Sequence, residues 1–332
     1  MRRQESIERL FAAAVSGRTR EMLDWLAAFL PPDQEASPPF YGLRLIHETA
    51  GSGHVDTLAA LIACGADAGQ HDATGNTPLS ITSSLGLWLP SLVLLAAGAK
   101  ARLPTGRVAT STPNSARTEL TRLIKQIHTT RTRLRVGAKA SRPPDSFMTG
   151  LAPRPTLAEL VETRDALSLI RHEHFPAHPQ EAQGLFRALC DGATAELLKL
   201  CESLRLLHAV TGGGDTLAHV GACCSHGHEW CVHAEALAVA LACGSPCGAA
   251  NLAGETCLHV SAFLGRRYPT LLLLAAGADP LATDNAGLTP SDYAKLRGFE
   301  DLSTLITGVG RARACFRQSA EISHASSTTA SA

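Results

Sequence analysis

The densest group of ligand-type side chains is Cys223-Cys224-Ser225-His226-Gly227-His228-Glu229-Trp230-Cys231-Val232-His233. Thiolate and imidazole bind zinc, and four of Cys223, Cys224, His226, His228, Cys231 and His233 could converge on one ion. The spacing is not that of a standard finger, and the two adjacent cysteines fall at a helix end where small residues belong. Packing is therefore the reading the pattern favours. His172-Glu173-His174, with His178 nearby, places alternate residues on a helix end, where they share no face, and reads as a solvated linker. Ten cysteines and 14 histidines offer many Cys/His pairs and single out none as a nucleophile and its base. Gly212-Gly213-Gly214 lacks the Lys-Ser/Thr that would complete a phosphate loop. No pair of carboxylates stands in an identifiable cleft arrangement. The expectation is a chain that is not an enzyme, with no cofactor and no metal.

The elements that would carry these residues are set by a repeat. Gly254 and Gly287, Thr256 and Thr289, Gly265 and Gly298, and Gly244 and Gly277 are each separated by about 33 residues. Gly42 and Gly75, Gly53 and Gly86, and Gly65 and Gly98 show the same step near the start. Within each step a Gly-containing turn leads to a Thr or Ser suited to capping a helix. Pro78 and Pro290 then suit the first helical position. Leu58, Leu61 and Ile62 form one apolar stripe at helical spacing, and Leu271 to Leu274 form another. A single turn-helix-turn-helix unit cannot bury its apolar face alone, so stacked neighbours must do it.

A period of this length with one turn and two helices resembles the ankyrin repeat. The resemblance is carried by Thr77-Pro78-Leu79, Thr256-Cys257-Leu258-His259, Thr289-Pro290, Gly53-His54 and the Gly-Ala ends at Gly65, Gly98 and Gly277. It covers roughly two thirds of the chain. Leu45-Ile46-His47 stands where the family has Pro-Leu-His, and Ser80 replaces that histidine in the next unit. In these terms His219 takes the Thr-x-x-His position and His228 the Gly-His position of an ankyrin turn. The implied fold is an all-α ankyrin-repeat solenoid of helix-turn-helix units joined by β-turn loops, with a non-repeat or degenerate central insert.

Composition agrees with small-residue helix packing, since apolar residues make up 45% and aromatics 5%. Net charge near zero gives the whole chain no electrostatic signature for nucleic acid. Cys64, Cys190, Cys201 and Cys243 fall on helix stripes, the usual place for buried reduced thiols. The start, Met-Arg-Arg-Gln-Glu-Ser, is not followed by an apolar run long enough for a signal peptide, and no run approaches a membrane span. These features lead to the expectation of an intracellular, cytoplasmic protein.

Residues 1–105 read as N-terminal repeats. The first unit, 5–36, is divergent and presents Arg2, Arg3, Glu5, Glu8 and Arg9 on a polar outer face. Residues 106–181 break the pattern. Between 101 and 154 there are eleven Lys/Arg against two acids, Glu119 and Asp145. Leu120, Leu123, Ile124 and Ile127 are spaced for an amphipathic helix among Arg117, Arg122, Lys125, Arg131, Arg133 and Arg135. A basic amphipathic helix over 117–139 suits a calmodulin-like protein or an anionic membrane. The alternative is a degenerate repeat with a solvated basic face, which the echo of Ala96–Ala101 in Arg135–Ala140 favours. Residues 182–312 resume the repeats, with two extra residues between the helices of the 213–250 unit. Residues 313–332 are Ser/Thr/Ala-rich and read as a disordered tail.

The resemblance implies a non-enzymatic scaffold whose protein partner is bound by turn tips and the exposed face of the first helices, which together make the concave face of the solenoid. The turn positions are Tyr41, Leu43, Thr74, Asn76, Leu252, Glu255, Asn285 and Leu288. The helix-end positions are Ser52, Leu85, Phe263, Leu264 and Arg297. Phe263 and Leu264 stand out as large apolar residues at expected solvent-facing positions, with packing on a neighbouring unit as the alternative.

Overall fold

A computed structural model describes residues 2–28, 44–100, 115–137, 156, 180–201, 207–208, 210–211, 213–224 and 232–329. Tyr41, Leu43, His172, His174 and His178 lie outside them, as does most of the expected central segment. Among the described residues there are fifteen helices and no strand longer than an isolated bridge.

The first row of helices comprises α1 (Arg2–Val15), α2 (Thr19–Ala27), α3 (Leu45–Ser52), α4 (Val55–Ala63), α5 (Pro78–Leu85), α6 (Trp88–Ala96) and α7 (Ser115–Gly137). The second comprises α8 (Gln180–Cys190), α9 (Thr194–Leu200), α10 (Leu217–Cys224), α11 (Val232–Cys243), α12 (Cys257–Phe263), α13 (Arg267–Ala275), α14 (Pro290–Leu296) and α15 (Glu300–Thr329).

Local chemistry starts the helices where the repeat places them. Thr77 accepts from Ser80 N while Ser80 Oγ accepts from Thr77 N. Thr289 and Asp292 make the same reciprocal box, and so do Thr256 and His259. Positive φ is needed where the chain leaves a helix tightly. Gly265 has φ +65°, and a Cβ there would run into the ring of Phe299.

First helices stack on first helices within a row, and second helices on second helices. The rows then lie back to back through the second helices. α2 packs on α15, α4 on α13, α6 on α11 and α7 on α9, so the pairing reads the same from either row. This explains the composition of the second helices. Every residue of Thr57–Ala63, Pro90–Ala96 and Pro269–Ala275 is buried. A helix enclosed by its own row on one side and the opposite row on the other is apolar all round.

Two arginines close the seam between the rows. Arg131 of α7 donates to Leu95 O (2.6 Å) and Ala99 O (2.8 Å), at the end of α6, and to Ala242 O, at the end of α11. Arg313 of α15 donates to Ala278 O (2.7 Å) and Leu274 O (3.3 Å), at the end of α13, and to Ala63 O, at the end of α4. Each guanidinium bonds carbonyls at and just beyond helix ends; Leu95 O and Leu274 O also accept from Gly98 N and Gly277 N, so there the arginine takes a second lone pair. α15 thus runs on through residue 312, where the sequence reading ended the repeats. Its apolar and arginine side chains there are held by the seam, so the expected tail begins inside a helix.

The pseudo-symmetry reaches individual polar contacts. Ser91 donates to Thr82 (2.8 Å), and at the matching positions of the second row Thr270 donates to Ser261 (3.0 Å). Arg267 is ion-paired with Asp56 across the seam. At the matching positions Trp88 and Glu235 stand near each other, and burial chiefly pushes the Glu235 carboxyl up.

Candidate partner-binding surface

Because second helices meet at the seam, turns and first-helix ends lie along the two outer edges. Each turn is braced from within. Asp72 accepts from Thr74 N and Asn76 N, both at 2.8 Å, and from Thr74 Oγ1 at 2.7 Å. Burial raises this carboxyl, but the hydrogen bonds outweigh burial and hold it below its ordinary range. Asp284 accepts from Ala286 N (2.9 Å) and Leu288 N (2.8 Å), and Asn251 fills the same role toward Ala253 and Glu255.

Histidines then tie each turn to the next. His47 Nε2 reaches Gln70 O and Asn76 O, His219 Nε2 reaches Glu255 O, and His259 Nε2 reaches Leu288 O. His259 Nδ1 accepts from Thr256 N at 3.0 Å, so the ring is the neutral tautomer with its hydrogen on Nε2. Burial pushes His47 and His259 down, which keeps them in that form.

The surface residues divide into three groups. Thr74, Asn76, Asn285 and Arg297 are exposed, as is Leu85 at 56%. Ser52, Leu252, Leu264 and Leu288 are half-buried. Glu255 and Phe263 correct the sequence expectation, since both are enclosed. Glu255 turns inward to Asn251 and Tyr293. Phe263 is covered by the next unit, with the Tyr293 ring edge-on at 6.0 Å and the Arg297 guanidinium 4.9 Å from the ring centre. Sequence reasoning missed Leu296, 53% exposed beside Arg297. The signal was available, because Leu296 occupies the helix-end position of its unit one residue before Arg297.

Of the metal-ligand candidates, Cys223 and His233 are half-buried on separate helices, α10 and α11. Cys224 is described in its backbone alone, and His226, His228 and Cys231 lie outside the described residues. No group of three or more His, Cys, Asp or Glu that could hold a metal occurs among the described residues. Burial pushes the Cys64 thiol up to about 12, which suits a packing residue and not a nucleophile.

The basic segment is helical as α7, and Leu120, Leu123, Ile124, Ile127 and Leu134 are buried against the body. A calmodulin-like protein that grips apolar residues would have to pull α7 away, together with the three bonds of Arg131. Arg122, Lys125 and Arg133 remain exposed on the other side. A cleft of about 500 Å³ between α2 and α15 holds charges of both signs, with Arg311 3.8 Å from Asp24. No helix among the described residues is long and apolar enough to cross a membrane.

No protein-family model matches the chain, and no curated protein does. Among solved structures it is similar to the crystal structure of an ankyrin repeat domain from Acinetobacter baumannii AYE. The identity is 17%, the alignment covers 80% of this chain and 97% of that one, and the TM-score is 0.32.

Proposed function

We propose that this chain is an ankyrin-type, non-enzymatic scaffold that binds a protein partner along an outer edge formed by turn tips and first-helix ends. The observation that carries the reading is the placement of Thr74, Asn76, Leu85, Asn285 and Arg297. All are exposed, and the turns that carry Thr74, Asn76 and Asn285 have backbones fixed by hydrogen bonds to Asp72 and Asp284. A rigid frame with variable exposed positions suits recognition. The groups that could do chemistry support the same reading. His47, His219, His259, Asp72 and Asp284 are engaged in bracing turns. The edge of the second row offers Leu252, Leu264 and Leu288 beside Asn285 and Arg297, a mixed apolar and polar strip suited to a peptide segment.

The test is cross-linking capture of partners by the full chain, comparing wild type with Asn285→Glu/Arg297→Glu and with Thr74→Arg/Leu85→Glu. All four positions are exposed, and circular dichroism melts establish that the variants fold. Loss of a partner in one edge variant and not the other assigns the edge. A partner set unchanged in both variants refutes the surface.

A further inference from the structure

Each seam arginine lies beside a cysteine. Cys64 caps the end of α4, and Arg313 donates to Ala63 O next to it. Cys243 ends α11, and Arg131 donates to Ala242 O next to it. Both thiols are buried, and both stand one residue before the positive-φ glycine that follows the helix, Gly65 or Gly244.

The neighbouring second helix differs between the rows. α2, beside α4, carries no cysteine. α9, beside α11, ends at Cys201, which is fully enclosed. Second helices stack in register within a row, and the 2.9 Å contact between the Thr19 and Thr57 hydroxyls joins the starts of α2 and α4 in this way. The ends of α9 and α11 therefore lie side by side, and the Cys201 and Cys243 thiols stand near each other.

The second thiol changes the chemistry of the first. Burial pushes Cys64 up to about 12 despite Arg313. Cys243 is held below its ordinary range, by the Cys201 thiol first and with help from the Arg131 charge, against the same burial. Cys201 is pushed up, by Cys243 first and then by burial, and so keeps its hydrogen. A sulfur that ionises readily can attack an oxidant, and a thiol beside it can resolve the product.

We propose that Cys201 and Cys243 are a redox pair, oxidised by hydrogen peroxide to a disulfide that staples α9 to α11. Peroxide is small enough to reach an enclosed thiol through brief local opening. The Cys243 sulfur attacks one peroxide oxygen. An S–O bond forms, the O–O bond breaks, and the hydroxide released leaves as water with the Cys243 proton. The Cys201 sulfur then attacks the Cys243 sulfur. An S–S bond forms, the S–O bond breaks, and the second hydroxide leaves as water with the Cys201 proton. The two thiols lose two electrons, and the peroxide gains them. Among the described residues α8 and α9 begin the second row, so within that row they pack on α10 and α11 alone. A unit held by one neighbour opens most easily, and the staple would tie it down. The proposal stands apart from the identity of any partner.

Peptide mass spectrometry of the full chain tests it. The folded protein is treated with peroxide, unfolded in urea with iodoacetamide to block free thiols, and digested without reductant. The expected product is a Cys201–Cys243 disulfide peptide that dithiothreitol abolishes, with Cys64 of the same sample recovered as an alkylated thiol. Limited proteolysis gives a second reading. Peroxide should slow cleavage within 180–201 several-fold in wild type and in Cys64→Ser, and should leave it unchanged in Cys201→Ser. Free thiols at both positions after treatment, over-oxidation of Cys243 to a sulfonic acid, or pairing of either residue with another cysteine overturns the proposal. Equal slowing in Cys201→Ser overturns it as well. Should Cys201→Ser fail to fold, the wild-type peptide map decides alone.

Discussion

Replacing Arg313 with Ala probes the seam most sharply. The side chain joins α15 to the ends of α4 and α13 through three carbonyl acceptors. A hydrogen bond to a charged donor is worth about 1.5–3 kcal/mol, so three would sum to more than about 4 kcal/mol. Arg313 is half-buried, and water reaching the vacated space will satisfy part of what is lost. The expected cost is about 3 kcal/mol, a large part of a domain stability of about 5–15 kcal/mol. Arg313→Lys keeps the charge but cannot fork to three carbonyls, so it should lose about half as much. Arg131→Ala, at the matching place in the other row, should cost a similar amount. The two arginines hold different helix pairs, α4/α13 and α6/α11, so the double variant should lie near the sum. Urea unfolding followed by circular dichroism measures all four, with the slope checked for loss of two-state behaviour. Costs below about 1 kcal/mol for both alanine variants would show that the rows are held by apolar contact alone and would refute the role given to the arginines.

Gly265→Ala should destabilise by about 1–3 kcal/mol, because positive φ and the Phe299 ring both oppose a Cβ. Gly98→Ala has the same backbone problem but open space around it, so thermal melts should show the smaller loss, about 1 kcal/mol. Burial lowers His259, and a folded value below the unfolded one means that stability is present above about pH 6.5 and lost as pH falls below it. Protonation would also end the Thr256 N–H···Nδ1 bond, so His259→Gln should flatten the acid limb of a melting-temperature profile. Arg44 begins α3 without a side-chain cap, and His47 Nδ1 is buried with no hydrogen-bond partner among the described residues. Arg44→Thr should therefore add about 1 kcal/mol in a denaturant titration.

The sequence discloses what depends on near neighbours. Thr77, Thr256 and Thr289 cap helices as the repeat predicts, since capping involves residues three apart. What it conceals depends on the other half of the chain. Arg131 reads as one more cation in a basic run, yet it reaches Ala242, 111 positions away. Phe263 and Glu255 occupy outward positions in the repeat pattern. Their burial depends on Tyr293 and Arg297 of the next unit, which a single unit's pattern does not include. One clue to the seam was legible. Leu92–Ala96 and Leu271–Ala275 have no polar side, and a helix packed on only one face should keep one. The final boundary was set by composition, which weighs the Ser and Ala beyond residue 313 but not the three bonds of Arg313 itself.

The order of synthesis gives the back-to-back seam a further consequence. α4 and α6 leave the ribosome long before α11 and α13, the helices that cover their outer sides. At about 5–20 residues per second, the wait lasts on the order of ten seconds or more. Throughout it the newborn first half presents a sticky, two-helix-wide face with its mate not yet made. Intermolecular capture by another nascent chain on the same message would satisfy that face equally well. A holdase that shields it until residue 275 emerges would raise the yield of correctly closed monomer.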